Sequence, residues 1–143
     1  MRTLRVFSAG ERNCYSVDVP GGGQILVRAS FFYGNYDGRH SPPTFGLEFD
    51  GNRWAAVRTA EDEVVQHEAI YVARGGRTSV CVVRTKAGEL PFVSAIEVRA
   101  LGEKMYGRYD RNTSALVLAG RVAAGRYVVR LDRLQPKFVF FFF

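Results

Sequence analysis

The side chains best suited to contact a ligand lie in one short stretch, FFYGNYDGRHSPPTFGLEFDG, at residues 31–51. A tyrosine ring has a flat apolar face with a hydroxyl at its edge, which suits stacking on a pyranose ring while bonding its hydroxyls. Amide and carboxylate groups beside such rings can bond the same hydroxyls. This inventory predicts a carbohydrate- or ligand-binding loop made of Tyr33, Asn35, Tyr36 and Asp37.

The same loop also has a purely structural interpretation. Glycine, asparagine and aspartate are common turn formers, because they tolerate a left-handed backbone or bond their own main chain. In that case Asn35, Asp37 and Gly38 only reverse the chain, and Tyr33 belongs to the core. The sequence leaves both interpretations open.

Catalysis would require a nucleophile, a base and an orienting group. Cys14, His40 and Asp37 have the right chemistry, but nothing in the sequence brings them together, and no serine stands in a nucleophile-elbow context. The two cysteines and two histidines match no familiar metal-ligand spacing. We therefore expect no catalytic residue, no metal site and no cofactor in this chain.

The two cysteines, Cys14 and Cys81, fall in segments that we predict to be strands. Those strands could lie side by side, in which case an oxidising compartment would allow a disulfide between them. Two buried thiols fit the same spacing, because a short strand accommodates a free cysteine as a small apolar side chain. A disulfide between Cys14 and Cys81 is one of two open alternatives.

Two observations bear on the cellular compartment. Asn112 begins an N-x-[ST] acceptor, which predicts N-glycosylation only if the chain enters the secretory pathway. The apolar run in the N-terminal stretch MRTLRVFSAGERNC is too short for the hydrophobic region of a signal peptide. No segment of the chain approaches the roughly 20 consecutive apolar residues that are needed to cross a bilayer. We therefore expect neither a signal peptide nor a transmembrane segment in this chain.

The chain is basic, with 20 Lys and Arg against 14 Asp and Glu and a formal net charge of +6. The arginines are scattered singly along the chain, which favours ordinary outward-facing residues and no nucleic-acid partner. The alternative is a basic β-sandwich module that binds nucleic acid or another polyanion, with Trp54 as a stacking platform. The basic surface of such a module would be a stripe of arginines on neighbouring strands, namely Arg28, Arg53, Arg58, Arg74, Arg77 and Arg84.

Short segments rich in β-branched and aromatic residues recur between glycine- and proline-rich turns, and this pattern is typical of an antiparallel sandwich or barrel. Helical periodicity is nearly absent. In FGLEFDGNRW the alternation places Phe45, Leu47 and Phe49 on one face of a hairpin. The predicted strands are 14–19, 24–33, 45–49, 54–58, 64–72, 79–83, 94–101, 116–121 and 127–131.

Several motifs are more specific than this general pattern. They are RNCYSV at 12–17, ILVRASFFYGNYDGRHSPPTFGLEFDGNRWAAV at 25–57, EAIYVA at 68–73, SVCVV at 79–83 and PFVSAIEVRAL at 91–101. In order and spacing they resemble the malectin-like domain in the ectodomains of plant receptor-like kinases. The resemblance runs from about Leu4 to Tyr106.

The resemblance implies an all-β fold, an antiparallel jelly-roll-like β-sandwich that is incomplete here, since family members usually carry two such lobes in tandem. Residues 1–106 resemble a partial malectin-like lobe. Residues 107–134 resemble the start of a truncated second lobe or a linker. Residues 135–143 have the sequence QPKFVFFFF and match neither lobe, and we interpret them as an aberrant apolar tail.

The resemblance also implies a function in recognition outside the cell. Family members are single-pass receptors at the plasma membrane with a cytoplasmic Ser/Thr kinase, and relatives bind carbohydrate, including cell-wall glycan, or a peptide or protein ligand. Animal malectin contacts a glucose disaccharide through aromatic residues and an aspartate of this region, which points to Tyr33, Tyr36 and Asp37 here. Because no kinase motif is present in this chain, we expect it to be non-catalytic.

Overall fold

The structure is a computed structural model, which describes residues 3–19, 21–102, 105, 115–118 and 131–134. Within these residues the secondary structure is entirely β. The strands are β1 (Arg5–Val6), β2 (Arg12–Asp18), β3 (Gln24–Phe32), β4 (Thr44–Phe49), β5 (Asn52–Arg58), β6 (Val64–Val72), β7 (Arg77–Arg84), β8 (Phe92–Val93), β9 (Ala95–Ala100), β10 (Ala115–Leu118) and β11 (Leu131–Leu134).

Two sheets form a sandwich. One has five strands in the order β11-β10-β6-β3-β9, and the other has four in the order β2-β7-β4-β5, while β1 and β8 form a short two-stranded ribbon. Every described strand pair is antiparallel. The predicted antiparallel all-β fold is therefore confirmed.

The core lies between the facing sides of the two sheets. Alternate residues of the central strand β3 point inward, including Phe31, and meet the inward face of β4. Phe45, Leu47 and Phe49 are at most 1% exposed, as the alternation in the sequence predicted. The rings of Phe31 and Phe45 pack edge-to-face with centroids 5.4 Å apart. Edge-to-face aromatic contacts of this kind stabilise the packing of one sheet on the other.

The sequence pattern did not predict β1 and β8, because two-residue strands carry no alternation to detect. Beyond residue 106, β10 pairs with β6, with Leu116 opposite Ile70, and so continues the same sheet as the strands before it. The boundary between a first lobe and residues 107–134 stays a prediction. Asn112 and residues 135–143 lie outside the described residues.

Cys14 and Cys81 are direct partners in the β2–β7 register, with Cα atoms 4.0 Å apart, and the structure joins them in a disulfide. Opposite residues on neighbouring strands lie within the roughly 7 Å that a disulfide can span. A cross-link between residues so distant in sequence stabilises a small domain by about 2–4 kcal/mol. Cys14 is therefore not available as a nucleophile.

None of the residues that the structure describes forms a helix long and apolar enough to cross a membrane.

Candidate ligand-binding loop

The segment that joins β3 to β4, residues 33–43, is called the ligand loop here. It begins where Phe31 anchors the end of β3 in the core, fully buried against Phe45 and Phe92. The backbone then turns sharply, since Gly34 and Asn35 have φ of 52° and 50° in succession. A side chain at position 34 would meet the ring of Phe32 at 2.8 Å, so this turn requires glycine.

Tyr33 is fully buried, and its ring lies beside that of Phe92. Its hydroxyl donates a short hydrogen bond to Asp37 Oδ1 and accepts one from the Ser41 amide at 3.4 Å. Burial, followed by the bond to Asp37, raises the pKa of Tyr33. A ring with no exposed face cannot stack on a ligand, so Tyr33 acts by holding Asp37 and the far side of the loop in place.

Asp37 has one oxygen engaged and one nearly free. Oδ1 accepts the Tyr33 hydroxyl and the Arg39 amide at 3.2 Å, whereas Oδ2 has, among the described residues, only the Arg39 guanidinium at 3.8 Å. The hydrogen bond from Tyr33 is the main reason that the pKa of Asp37 is lowered. The carboxylate is thus ionised at neutral pH and keeps an acceptor for an incoming hydroxyl.

Asn35 is used within the loop. Its Oδ1 accepts the His40 amide at 2.9 Å, and its Nδ2 donates to His40 Nε2 at 3.1 Å. Because Nε2 accepts this bond, the ring proton sits on Nδ1 and is donated to Glu61 Oε1 at 2.6 Å. Glu61 also accepts the Gly34 amide through its carbonyl, so these residues tie the loop to the β5–β6 connection.

Tyr36 presents its ring at the surface, with 38% of the residue exposed. The rest of the ring is held edge-on by Tyr33 and Phe92, with centroids 5.3 and 5.7 Å away. Tyr36 and Asp37 line a cleft of about 120 Å³ between the ligand loop and residues 88–90. A rigid, half-exposed aromatic ring beside a spare carboxylate oxygen is suited to contact a polar ring-shaped ligand.

Glu89 lines the opposite side of the same cleft. Its Oε2 accepts the Thr44 amide at 2.6 Å and its Oε1 pairs with Lys86 at 3.0 Å, and these bonds, the first above all, lower the pKa of Glu89. Sequence reasoning missed this residue. Its only local signal is the Gly88 turn that precedes it, and nothing in the sequence shows that residues 86–90 face the ligand loop.

The four predicted site residues are thus together in space, but they divide by role. Tyr36 and Asp37 line the cleft, whereas Tyr33 is buried and Asn35 bonds His40 within the loop. The structural interpretation describes Tyr33, which lies in the core, and the turn contacts of Asn35 and Asp37. Ligand binding at this loop stays a prediction.

The arginines of the proposed stripe that lie on strands are divided between the two sheets. Arg28 pairs with Glu68 at 2.8 Å and Glu97 at 3.2 Å on the outer face of the five-stranded sheet. On the four-stranded sheet, Arg77 pairs with Asp18, and Arg84 donates to carbonyl groups of residues 7 and 8.

Trp54, the stacking platform expected of that stripe, is partly buried against the core. The β4–β5 register shifts at a bulge beside Trp54, and the Trp54 ring packs edge-to-face against His67 with centroids 5.1 Å apart. Because this ring is already packed against protein side chains, the geometry does not favour a nucleic-acid surface.

The architecture is that of a β-sandwich domain with its candidate binding loop at one end. Residues 1–133 match the family model of the malectin-like domain. Because this match covers nearly the whole chain, the chain belongs to the malectin-like domain family.

Two curated relatives come from Arabidopsis thaliana. An uncharacterized protein is 45% identical over 127 residues, which cover 87% of this chain and 25% of the relative. A probable leucine-rich repeat receptor-like protein kinase is 43% identical over 106 residues, which cover 73% of this chain and 12% of the kinase. The chain therefore spans a quarter or less of these relatives.

Two solved structures share the fold. The ectodomain of ANX1 from Arabidopsis thaliana superposes with a TM-score of 0.69 at 18% identity, covering 86% of this chain and 36% of that one. A chain in the crystal structure of plant peptide RALF23 in complex with FER and LLG2 superposes with a TM-score of 0.62 at 19% identity. The match covers 82% of this chain and 35% of that one. The resemblance to plant receptor-kinase ectodomains is confirmed at the level of family and fold.

Proposed function

We propose that this chain is a non-catalytic recognition domain that works outside the cell as part of a receptor-like protein and binds carbohydrate at the ligand loop. Family membership supports the location, because a similar fold forms the ANX1 ectodomain and a curated relative is a probable receptor-like kinase. The malectin-like match occupies residues 1–133, which supports a recognition role for this part of the protein.

The pairing of Tyr36 with Asp37 carries the proposal. Tyr36 offers a fixed aromatic face at the cleft, and Asp37 offers an ionised oxygen with little competition from the chain. Stacking of the apolar face of a sugar on Tyr36 would bring a ring hydroxyl toward Asp37 Oδ2. Because Tyr33 already positions the carboxylate, little conformational entropy is lost on binding.

The cleft limits the kind of sugar. A volume of about 120 Å³ admits part of one pyranose ring, which favours the end of an oligosaccharide over an internal segment. Its two carboxylates, Asp37 and Glu89, are balanced by Arg39 and Lys86. A local charge near zero favours an uncharged sugar over a uronic acid.

The test begins with a glycan array on the purified chain, followed by titration calorimetry with the strongest ligand. Tyr36→Ala and Asp37→Ala should each weaken binding by about 1–3 kcal/mol, through the lost stacked ring or an unpaired sugar hydroxyl. Asp18→Ala is a matched control, because Asp18 is an exposed aspartate in an ion pair on β2 and should not affect binding.

Unchanged affinity in both loop variants would refute carbohydrate recognition at this loop. A polyanion-binding module would instead lose affinity steeply with added salt, and arginine substitutions would weaken it while Tyr36→Ala would not.

A further inference from the structure

A cavity of about 500 Å³ that shares no lining residue with the cleft at the ligand loop lies where edge strand β2 of one sheet faces edge strand β9 of the other. The start of the chain closes a third side. We call this opening the seam and define it by residues 3–5, 15–16 and 93–96.

The β9 wall of the seam presents unpaired backbone groups. Strand β9 pairs with β3 on one side and has no second neighbour within the described part of the chain. The bond from the Leu101 amide to the Gln24 carbonyl fixes which residues bond β3. By the alternation of an antiparallel ladder, the amide and carbonyl groups of Ile96, Val98 and Ala100 point away from β3.

The β2 wall has the same character. Bonds from the Arg84 amide to the Glu11 carbonyl and from the Val19 amide to the Gly76 carbonyl fix the β2–β7 alternation. The backbone groups of Ser16 therefore point away from β7, toward the free edge. Two edges with unpaired backbone groups, separated by a cavity, are a template for an added strand.

Arg5 gives the seam its charge. Its guanidinium carbon lies 5.6 Å from the ring centroid of Phe7 and 5.8 Å from that of Tyr15. These rings hold the side chain in place, yet Arg5 forms no ion pair with any carboxylate that the structure describes. Leu4 and Ile96 add apolar surface beside this cation.

We propose that the seam binds an extended peptide segment of a partner protein, which adds a strand to the edge of β9. Its backbone bonds the outward groups of Ile96, Val98 and Ala100, and an acidic side chain pairs with Arg5. A second copy of this chain is a poorer occupant, because each copy carries a formal net charge of +6. This site is separate from the ligand loop and does not depend on carbohydrate binding there.

The experiment uses an acetylated and amidated eight-residue peptide that alternates valine and threonine around one central glutamate. Amide hydrogen exchange of the chain is measured by NMR with and without this peptide. The amides of Ile96, Val98 and Ala100 should exchange rapidly in the free chain and at least about tenfold more slowly in the complex. A peptide with lysine in place of glutamate should bind at least about tenfold more weakly.

Two variants of the chain locate the contact. Arg5→Glu should weaken binding at least about tenfold, whereas Arg53→Glu, which reverses an exposed arginine on β5, should leave it unchanged. Val98→Pro removes an outward amide but no β3–β9 ladder bond, so it should reduce peptide binding while the β3–β6 amides stay protected.

Three results would overturn the proposal. The first is slow exchange of the Ile96, Val98 and Ala100 amides without peptide, and the second is equal binding of the glutamate and lysine peptides. The third is protection that rises with protein concentration alone, which would identify a second copy as the occupant.

Discussion

The two ends of the sandwich carry similar groups in different arrangements. At the end of the ligand loop, buried Tyr33 bonds Asp37. At the opposite end, reached along β4, buried Tyr71 bonds Thr78 Oγ1 at 2.9 Å, and Thr78 in turn donates to Asp50 at 3.0 Å. Both ends thus place a tyrosine hydroxyl in a network that ends on an aspartate of a tight turn.

The ends differ in how fully the chain itself occupies the aspartate. Asp50 Oδ1 accepts the amide and the hydroxyl of Ser79 at 2.7 and 3.3 Å, and Oδ2 accepts Thr78, so both oxygens serve the fold. Asp37 uses one oxygen and leaves the other almost free beside the exposed ring of Tyr36. A buried tyrosine bonded to an aspartate in a turn is therefore not enough to form a binding site. A carboxylate oxygen that is free to accept a bond and an exposed aromatic ring are also needed.

The largest expected effect comes from the phenylalanine that supports each tyrosine. Phe92 packs against Tyr33 and Tyr36, and Phe49 packs against Tyr71 with ring centroids 4.7 Å apart. Phe92→Ala and Phe49→Ala should each lower the free energy of unfolding by about 3–5 kcal/mol, measured by denaturant titration. Only Phe92→Ala should also weaken glycan binding, because it removes the support under the Tyr36 ring. Equal loss of binding in the two variants would mean that the ends are not independent.

A smaller effect is expected from the aspartate that serves only the fold. Asp50→Ala removes the carboxylate that accepts the Ser79 amide and the buried Thr78 hydroxyl, which should cost about 1–3 kcal/mol of unfolding free energy. Glycan affinity of the folded variant, measured by calorimetry, should equal that of the wild type. If Asp50→Ala weakens binding as much as Asp37→Ala does, the proposed division between the two ends is wrong.

The smallest expected effect is a change in acid stability. The bond from Tyr33 lowers the pKa of Asp37 in the folded state, so the ionised carboxylate stabilises the fold above its ordinary pKa of about 4. That contribution should be lost as the pH falls through the lower folded pKa. The free energy of unfolding is measured at neutral and at acidic pH. It should decrease less on acidification in Asp37→Asn and Tyr33→Phe than in the wild type. An unchanged pH profile in both variants would show that the bond does not favour the ionised form.

Local sequence pattern was enough to predict most of the strands and the location of the loop. Phe45, Leu47 and Phe49 alternate with polar residues, and this period-two pattern decides which face is buried. The turn around Asn35 follows from its local chemistry. The short strands β1 and β8 could not be predicted in this way, because their two-residue pairing depends on where distant parts of the chain meet.

The sequence by itself determined the family, the strand periodicity and the set of polar and aromatic groups in the ligand loop, since these depend on residue types and their spacing. Only the tertiary structure decided which of those groups face outward. Phe92 lies 59 and 56 residues along the chain from Tyr33 and Tyr36 and packs against both rings, and the loop reversal brings the Tyr33 hydroxyl to Asp37. Glu89 likewise joins the cleft through its bond to the Thr44 amide. Contacts between residues so far apart in sequence leave no local pattern, which is why the fold alone separates the supporting residues from those that can meet a ligand.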